Sequence, residues 1–363
     1  MKRSMRVLVT MVGLAALMSL GEGRSWAQTT QFGTNSSATG TNASAFGAAA
    51  TASGGYSTAI GSNSSATTVD TVAIGSNSAA TVYGGIAIGN LSHSWGLYST
   101  AIGYNSYAVY DYGVANGYQS DAGAINSTAI GSQSTVYGYE GTALGFNSTV
   151  SANASDGVAI GAFSNCNGYN GIALGRSSQV NGQNDIAVGE GSTANATNST
   201  AIGAGSSASA TLSVAVGARS TASATGSVAL GTNSVADQQD TVSVGNASTG
   251  YKRRITNVAD GVAPSDVATV NQLNSATQQN QQYSKTQAQS AGAVVGAAAN
   301  AAVAVAGLPG TNRIALGTSL MGGQVGVGLA YQKSFGNLGA TLSASTNGSA
   351  DYTQVGAAVG FGW

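Results

Sequence analysis

A glycine returns every fourteen residues along most of this chain. The series runs Gly33, Gly47, Gly61, Gly75, Gly89, Gly103, Gly117, Gly131 and Gly145 and, after one step of sixteen, Gly161, Gly175, Gly189, Gly203, Gly217, Gly231 and Gly245. A fixed short period means one small unit stacked many times. Each glycine closes an apolar block such as Thr58-Ala59-Ile60-Gly61 or Val228-Ala229-Leu230-Gly231. The residue before the glycine is Ile, Leu, Val or Phe in every repeat but one, where Asn116 stands. Runs of β-branched residues bounded by Gly, Ser and Asn read as short strands.

Alternation splits each block into two faces. Thr58 and Ile60 point one way and Ala59 the other. Three residues past the glycine a serine recurs, as in Ser64, Ser78 and Ser134, and five past it a small or apolar residue, as in Ala66, Val136 and Cys166. Two strands of about five residues per repeat then make one coil of a parallel β-solenoid. Coils stack at the inter-strand spacing, so sixteen give a rod of roughly 75 Å. So thin a coil cannot bury its Val/Ile face alone, and a long exposed apolar stripe calls for further copies of the chain. The step of sixteen before Gly161 implies a local bulge.

The chain has 363 residues, of which 53 are Gly, 2 Pro and 1 Cys, and 7% are charged, which is a repeat-protein composition. Residues 28–245 carry nine acids and only two bases, Arg176 and Arg219, which argues against nucleic-acid binding. Residues 1–27 read as a secretory signal: Lys2, Arg3 and Arg6, then an apolar run from Val7 to Leu20, with cleavage between Ala27 and Gln28. An uncleaved membrane anchor is the alternative, and the apolar run is short for it. Cys166 has no partner in its own chain, so it reads as a small buried hydrophobe or as a contact between chains.

After Gly245 the repeat stops, and Lys252-Arg253-Arg254 is the densest positive charge past residue 28. Ser265 or Asp266 is a plausible N-cap for a helix from Val267 to about Ala306. Val270, Leu273, Thr277, Asn280, Ser284, Gln287, Ala291, Val294, Ala298, Ala301 and Val305 form a weak heptad seam. Residues 288–307 are rich in Ala and Gly, which suits a slender helix in a narrow space better than a transmembrane one. Past Pro309-Gly310 four alternating segments follow: Arg313–Leu320, Gln324–Lys333, Leu338–Thr346 and Tyr352–Trp363. One face of each is apolar with aromatics toward the end; the other is Gly, Ala, Ser and Thr. That is the pattern of outer-membrane strands, and sheet spans a bilayer only as a closed barrel. Four strands cannot close, so several chains must contribute; three would give twelve strands around three Ala-rich helices. A soluble four-stranded meander is the alternative, against which the terminal Phe361-Gly362-Trp363 speaks.

The repeats Asn126-Ser127-Thr128-Ala129-Ile130-Gly131-Ser132-Gln133-Ser134 and Asn198-Ser199-Thr200-Ala201-Ile202-Gly203-Ala204-Gly205-Ser206 resemble the head motif of YadA-like trimeric autotransporter adhesins. Arg254-Ile255-Thr256-Asn257-Val258-Ala259, with Asp266 to Leu273, looks like that family's neck, and residues 308–363 look like its membrane anchor. The resemblance implies a mostly β protein in five parts: signal peptide 1–27, left-handed parallel β-roll head 28–250, neck 251–273, coiled-coil stalk and lumen helix 274–307, and anchor 308–363. It implies a homotrimer with the Val/Ile faces around the threefold axis, and a twelve-stranded outer-membrane barrel with four strands from each chain that also serves type V secretion. It further implies a Gram-negative surface adhesin that binds extracellular matrix or host cells, or one another in biofilms, with the barrel assembly machinery as a partner. The stalk is very short for the family, and Asn116 would put a polar amide near the axis.

Nine of the fifteen tyrosines lie between residues 83 and 139, with Trp95 among them. Aromatic clusters with polar tips suit recognition, so Tyr98, Tyr104, Tyr107, Tyr110, Tyr112 and Tyr118 are the candidate ligand contacts. Tyr98 with Tyr112, and Tyr104 with Tyr118, stand fourteen apart and should stack as ladders; alternatively the rings only cover the solenoid or fill gaps between protomers. His93, the single histidine, reads as a surface residue. No acid, base and nucleophile converge by spacing, so no enzyme, cofactor or metal is expected; a β-solenoid hydrolase or lyase would need a charged cluster across coils. Irregular threonine positions argue against an ice-binding array, and the many Asn-x-Ser/Thr sequons read as chance in an Asn/Ser-rich repeat.

Overall fold

The computed structural model describes residues 29–347 and 353–361, in two compact units that divide at Arg254. The expected signal segment, its Ala27–Gln28 cleavage point and the closing Gly362-Trp363 lie outside the described residues.

The first unit is a parallel β-solenoid made of two sheets, of sixteen and fifteen strands, in which each strand pairs with its counterpart one coil away. Thr128, Ala129 and Ile130 pair with Thr142, Ala143 and Leu144, and Thr135 and Val136 with Thr149 and Val150. The strands are shorter than the five residues expected: three residues before the glycine, as in Thr58–Ile60, and two after it, as in Ser65–Ala66. Turns take up the rest, and their corners hold residues with positive φ, among them Asn63 at 56° and Asn147 at 51°. Asparagine tolerates that conformation better than most residues.

Between the sheets lies a fully buried column from each, alanine in one, as at Ala129, Ala143 and Ala201, and small or apolar residues in the other, as at Ala108, Val136 and Val150. Serine lines the corners. Ser64 and Ser134 each donate their hydroxyl to the carbonyl of the glycine three residues back, at 2.9 Å. A second buried serine column, including Ser57, Ser127 and Ser199, precedes the strand and was not read from the sequence. Ser57 donates to the Gly54 carbonyl at 2.6 Å. The sequons thereby gain a physical reason: in Asn147-Ser148-Thr149 the Asn turns the corner, the Ser bonds the Gly145 carbonyl at 3.0 Å, and the Thr starts the next strand.

The repeating glycines are stacked on one another. A Cβ on Gly61 would sit 2.5 Å from the carbonyl oxygen of Gly75, at φ +131°. The step of sixteen leaves both sheets in register, because Thr142 pairs with Val158 and Thr149 with Asn165. The two extra residues lengthen the turn 151–157 instead. Cys166 is fully buried in the small-residue column, its thiol directed at the Gly168 and Gly171 carbonyls, and burial pushes the thiol pKa up. That is the small buried hydrophobe of the two expectations; the coil encloses it away from other chains. At the base, Arg253 donates to the Val244 carbonyl at 2.8 Å and to Ser234 Oγ at 3.0 Å, so part of the basic run closes the last coil.

In the second unit the helix spans Val270–Ala306, with Thr269 as its N-cap in a capping box with Gln272. Asp266, an expected N-cap, instead accepts from the Val262 and Ala263 N–H groups at 2.9 Å, which hold its carboxyl below the usual range. Length and composition would let this helix cross a membrane. Its buried residues, Ser290, Ala293, Val294, Ala297, Ala301 and Val305, all lie in its C-terminal half. That half packs on an antiparallel sheet of four strands: Asn312–Met321, Gln324–Phe335, Leu338–Thr346 and Thr353–Phe361. The contact is backbone to backbone: a Cβ on Gly328 would lie 2.5 Å from the Ala297 carbonyl oxygen, and Gly317 and Gly326 meet the helix as closely. The other face exposes Ile314, Leu316, Val325, Val327 and Leu329.

Candidate functional site

Every coil has two edges and two faces, and the structure distributes the candidate tyrosines among three of these. Tyr98, Tyr110 and Tyr112 occupy the turn that follows the two-residue strand, together with Tyr83 and Leu97. Tyr98 and Tyr112 stack with ring centroids 5.8 Å apart and planes 8° from parallel, and Tyr83 meets Tyr98 edge-on at 5.3 Å. Tyr98 and Asp70 beside it raise the Tyr83 pKa. Asp111 accepts from the Leu97 N–H at 2.8 Å, which leaves this edge aromatic with acidic punctuation.

Tyr104 and Tyr118 stack at 5.4 Å and 11° on the other edge, next to the repeating glycines. Phe146 and Phe163 continue that edge, edge-on at 5.1 Å. The fourteen-residue arithmetic therefore placed both ladders, and the coil geometry puts them on different sides.

Tyr107 belongs to neither. It lies on the outer face of the two-residue sheet, paired in register with His93 on one side and Asp121 on the other. His93 stacks on Tyr107 at 5.1 Å and 5°, and Trp95 closes on His93 at 4.9 Å and on Tyr107 at 5.8 Å. The histidine expected as a plain surface residue is thus half-buried in an aromatic group. On the far side Tyr137 donates its hydroxyl to Asp121 Oδ2 at 2.9 Å. Burial raises the Asp121 pKa, and the Tyr137 hydroxyl opposes it. Asp121 was not picked out from the sequence, although it stands fourteen residues from Tyr107 and twenty-eight from His93, a signal of register alone.

The remaining sheet face has a different character. Ile60, Leu144, Ile172, Leu174, Ile202 and Leu230 lie exposed along the three-residue sheet, forming an apolar stripe along the solenoid. Asn116 interrupts it, exposed between Ile102 and Ile130. Among the described residues no cluster of three or more His, Cys, Asp or Glu is placed to hold a metal ion.

A family model described as the YadA head domain repeat matches the chain in thirteen stretches, most of them overlapping, the first at residues 32–50 and the last at 223–248. Together they cover more than half of the chain. Among solved structures, the collagen-binding domain of the Yersinia adhesin YadA is 25% identical over 67% of this chain and 87% of its own, with a TM-score of 0.22. No curated protein matches.

Proposed function

Because the chain belongs to the YadA-like trimeric autotransporter adhesins, we propose that it works as a homotrimeric adhesin on the surface of a Gram-negative bacterium, attaching it to extracellular matrix or host cells. The head, residues 28–250, meets the target; residues 251–307 form neck, stalk and lumen helix; residues 308–363 contribute four strands to a twelve-stranded outer-membrane barrel. Export begins with a cleaved signal peptide and ends by type V secretion, with the barrel assembly machinery as partner.

One observation carries this reading. A single chain leaves two apolar surfaces uncovered, the Ile/Leu/Val stripe of the head and the outer face of the four-stranded sheet. Water disfavours both. Three copies meeting stripe to stripe and strand edge to strand edge resolve the head and close the barrel, and lipid covers the rest. The polar candidates, Tyr98, Tyr104, Tyr107, Tyr110, Tyr112 and Tyr118, then stay outside as ligand contacts.

The test is to express the gene on a bacterium and run its outer membrane unheated on a denaturing gel. A heat-sensitive band near three chains is expected; a monomer band alone would sink the proposal. Binding to a panel of matrix proteins, beside an autoaggregation assay, then separates host adhesion from self-adhesion. Tyr→Ala changes at 98, 104, 110 and 112 should weaken one of these in a folded trimer.

A further inference from the structure

The two-residue sheet carries a group of side chains that neither the fold nor the ladders need. Asp121 Oδ1 is buried and accepts no hydrogen bond, while Oδ2 takes only the Tyr137 hydroxyl. An unmatched buried carboxylate oxygen is costly and calls for an explanation. Its neighbours are rings: Tyr107 beside it in register, Trp95 next to Tyr107, and Tyr137 across. The Tyr137 ring lies over Gly123, in the place a side chain there would take. A Cβ there would meet the Tyr137 ring at 2.5 Å and Asp121 Oδ1 at 3.4 Å, so the ring and the orphan oxygen border the same missing side chain. Tyr137 is half exposed and bonded through its hydroxyl to Asp121.

We infer that Asp121, Tyr107, Trp95 and Tyr137 form a binding site for an alkylammonium group, as carried by a lysine side chain of the protein to which the head attaches. A ring face beside a carboxylate stabilises a cation through the ring quadrupole, and the carboxylate adds a charge-assisted hydrogen bond. The charge balance selects the cation over a neutral or anionic ligand: between residues 28 and 175 there is no Lys or Arg, whereas Asp70, Asp111, Asp121, Glu140 and Asp156 all lie there. Such a field draws cations in and repels acidic glycans. On binding, the Tyr137 ring swings off Gly123 and the ammonium takes Oδ1. The inference deepens the adhesin reading and rests on it for the identity of the partner, since it names the chemistry the partner must present.

Past residue 28 the chain has two tryptophans, Trp95 and Trp363, so the fluorescence difference between the full-length protein and its Trp95→Phe variant reports the site. The detergent-purified protein is titrated with N-acetyl-lysine methylamide and, separately, with a neutral methyl glycoside. A saturable change with the lysine amide alone is expected, weakened about tenfold or more in Asp121→Asn and by high salt. Asn has the shape of Asp, and a head as resistant to protease as the wild type shows that the variant folds. No response to the lysine amide, an equal response to the glycoside, or wild-type affinity in Asp121→Asn each overturns the inference. Free probes need no cell, so a failure here leaves the adhesin reading to be decided by the cell-adhesion assay alone.

Discussion

At the scale of single residues, the tightest constraint is the stacked glycine. A Cβ on Gly203 would lie 2.5 Å from the carbonyl carbon of Gly217, and the residue sits at φ +131°. Gly203→Ala therefore combines a clash with a strained backbone, and should cost on the order of 2–3 kcal/mol or more, read as a lowered melting temperature of the head. Cys166→Val should be nearly silent, within about 1 kcal/mol, because Val150 and Val180 already occupy the paired positions on either side. The native thiol should resist alkylation until the head unfolds. Asp185 stands in the buried serine column, its carboxylate accepting from the Gly182 and Ser199 N–H groups at 2.8 Å. Burial raises its pKa more than these bonds lower it. Its contribution to stability is thus complete below about pH 4 and is lost as pH rises through the folded value. Asp185→Ser restores the column residue, and a thermal melt series from pH 4 to 8 should show a flatter pH dependence than wild type. Asp266 has the opposite sign, since its pKa is lowered and its contribution fades as pH falls.

At the scale of elements, period and register were legible, and strand length and corner geometry were not. The alternation of Thr58, Ala59 and Ile60 told which side faces inward, and Ala59 is fully buried. But a corner is set by backbone conformation, and although Asn is the commonest residue at the positive-φ corners, Tyr, Asp, Leu, Gln, Phe and Arg hold others. No single residue type marks all of them, so the strands looked longer than they are. The second serine column hid for a related reason: Gly113, Gly141 and Asp185 take its place in other coils. The C-terminal strands were easier, because Gly322-Gly323 and Gly336-Asn337 delimit them and observed bounds fall within two residues of those expected. The helix start moved three residues, since Thr269 with Gln272 caps better than Ser265 or Asp266. Of the candidate site, spacing revealed the ladders but not the companions of Tyr107, because His93, Asp121 and Tyr137 share a surface only once the columns are laid side by side. Where the helix lies on the sheet, Gly328→Val should separate the two, since the Ala297 carbonyl leaves no room. The expected outcome is loss of the heat-sensitive oligomer from outer-membrane fractions, with Val327→Ile on the opposite, exposed face as a harmless control.

At the scale of the whole molecule, the apolar stripe and the open sheet should fail independently. Ile172→Glu with Ile202→Glu puts charge on the exposed stripe while leaving the alanine core untouched. Protease digestion of whole cells should then find the solenoid cut more readily, while the four-stranded sheet still runs as an oligomer on an unheated gel. An intact, protease-resistant head would show that the stripe is no interface. The lengthened turn 151–157 leaves the pairing of Thr142 with Val158 undisturbed, and each coil touches only the coils beside it. It follows that unequal recombination between gene copies can delete or duplicate a whole unit, or slip residues into a corner, without a frame of contacts to repair. The distance along the solenoid from its tyrosines to its last coil is then set by the number of units, and chains that differ in that number should still fold.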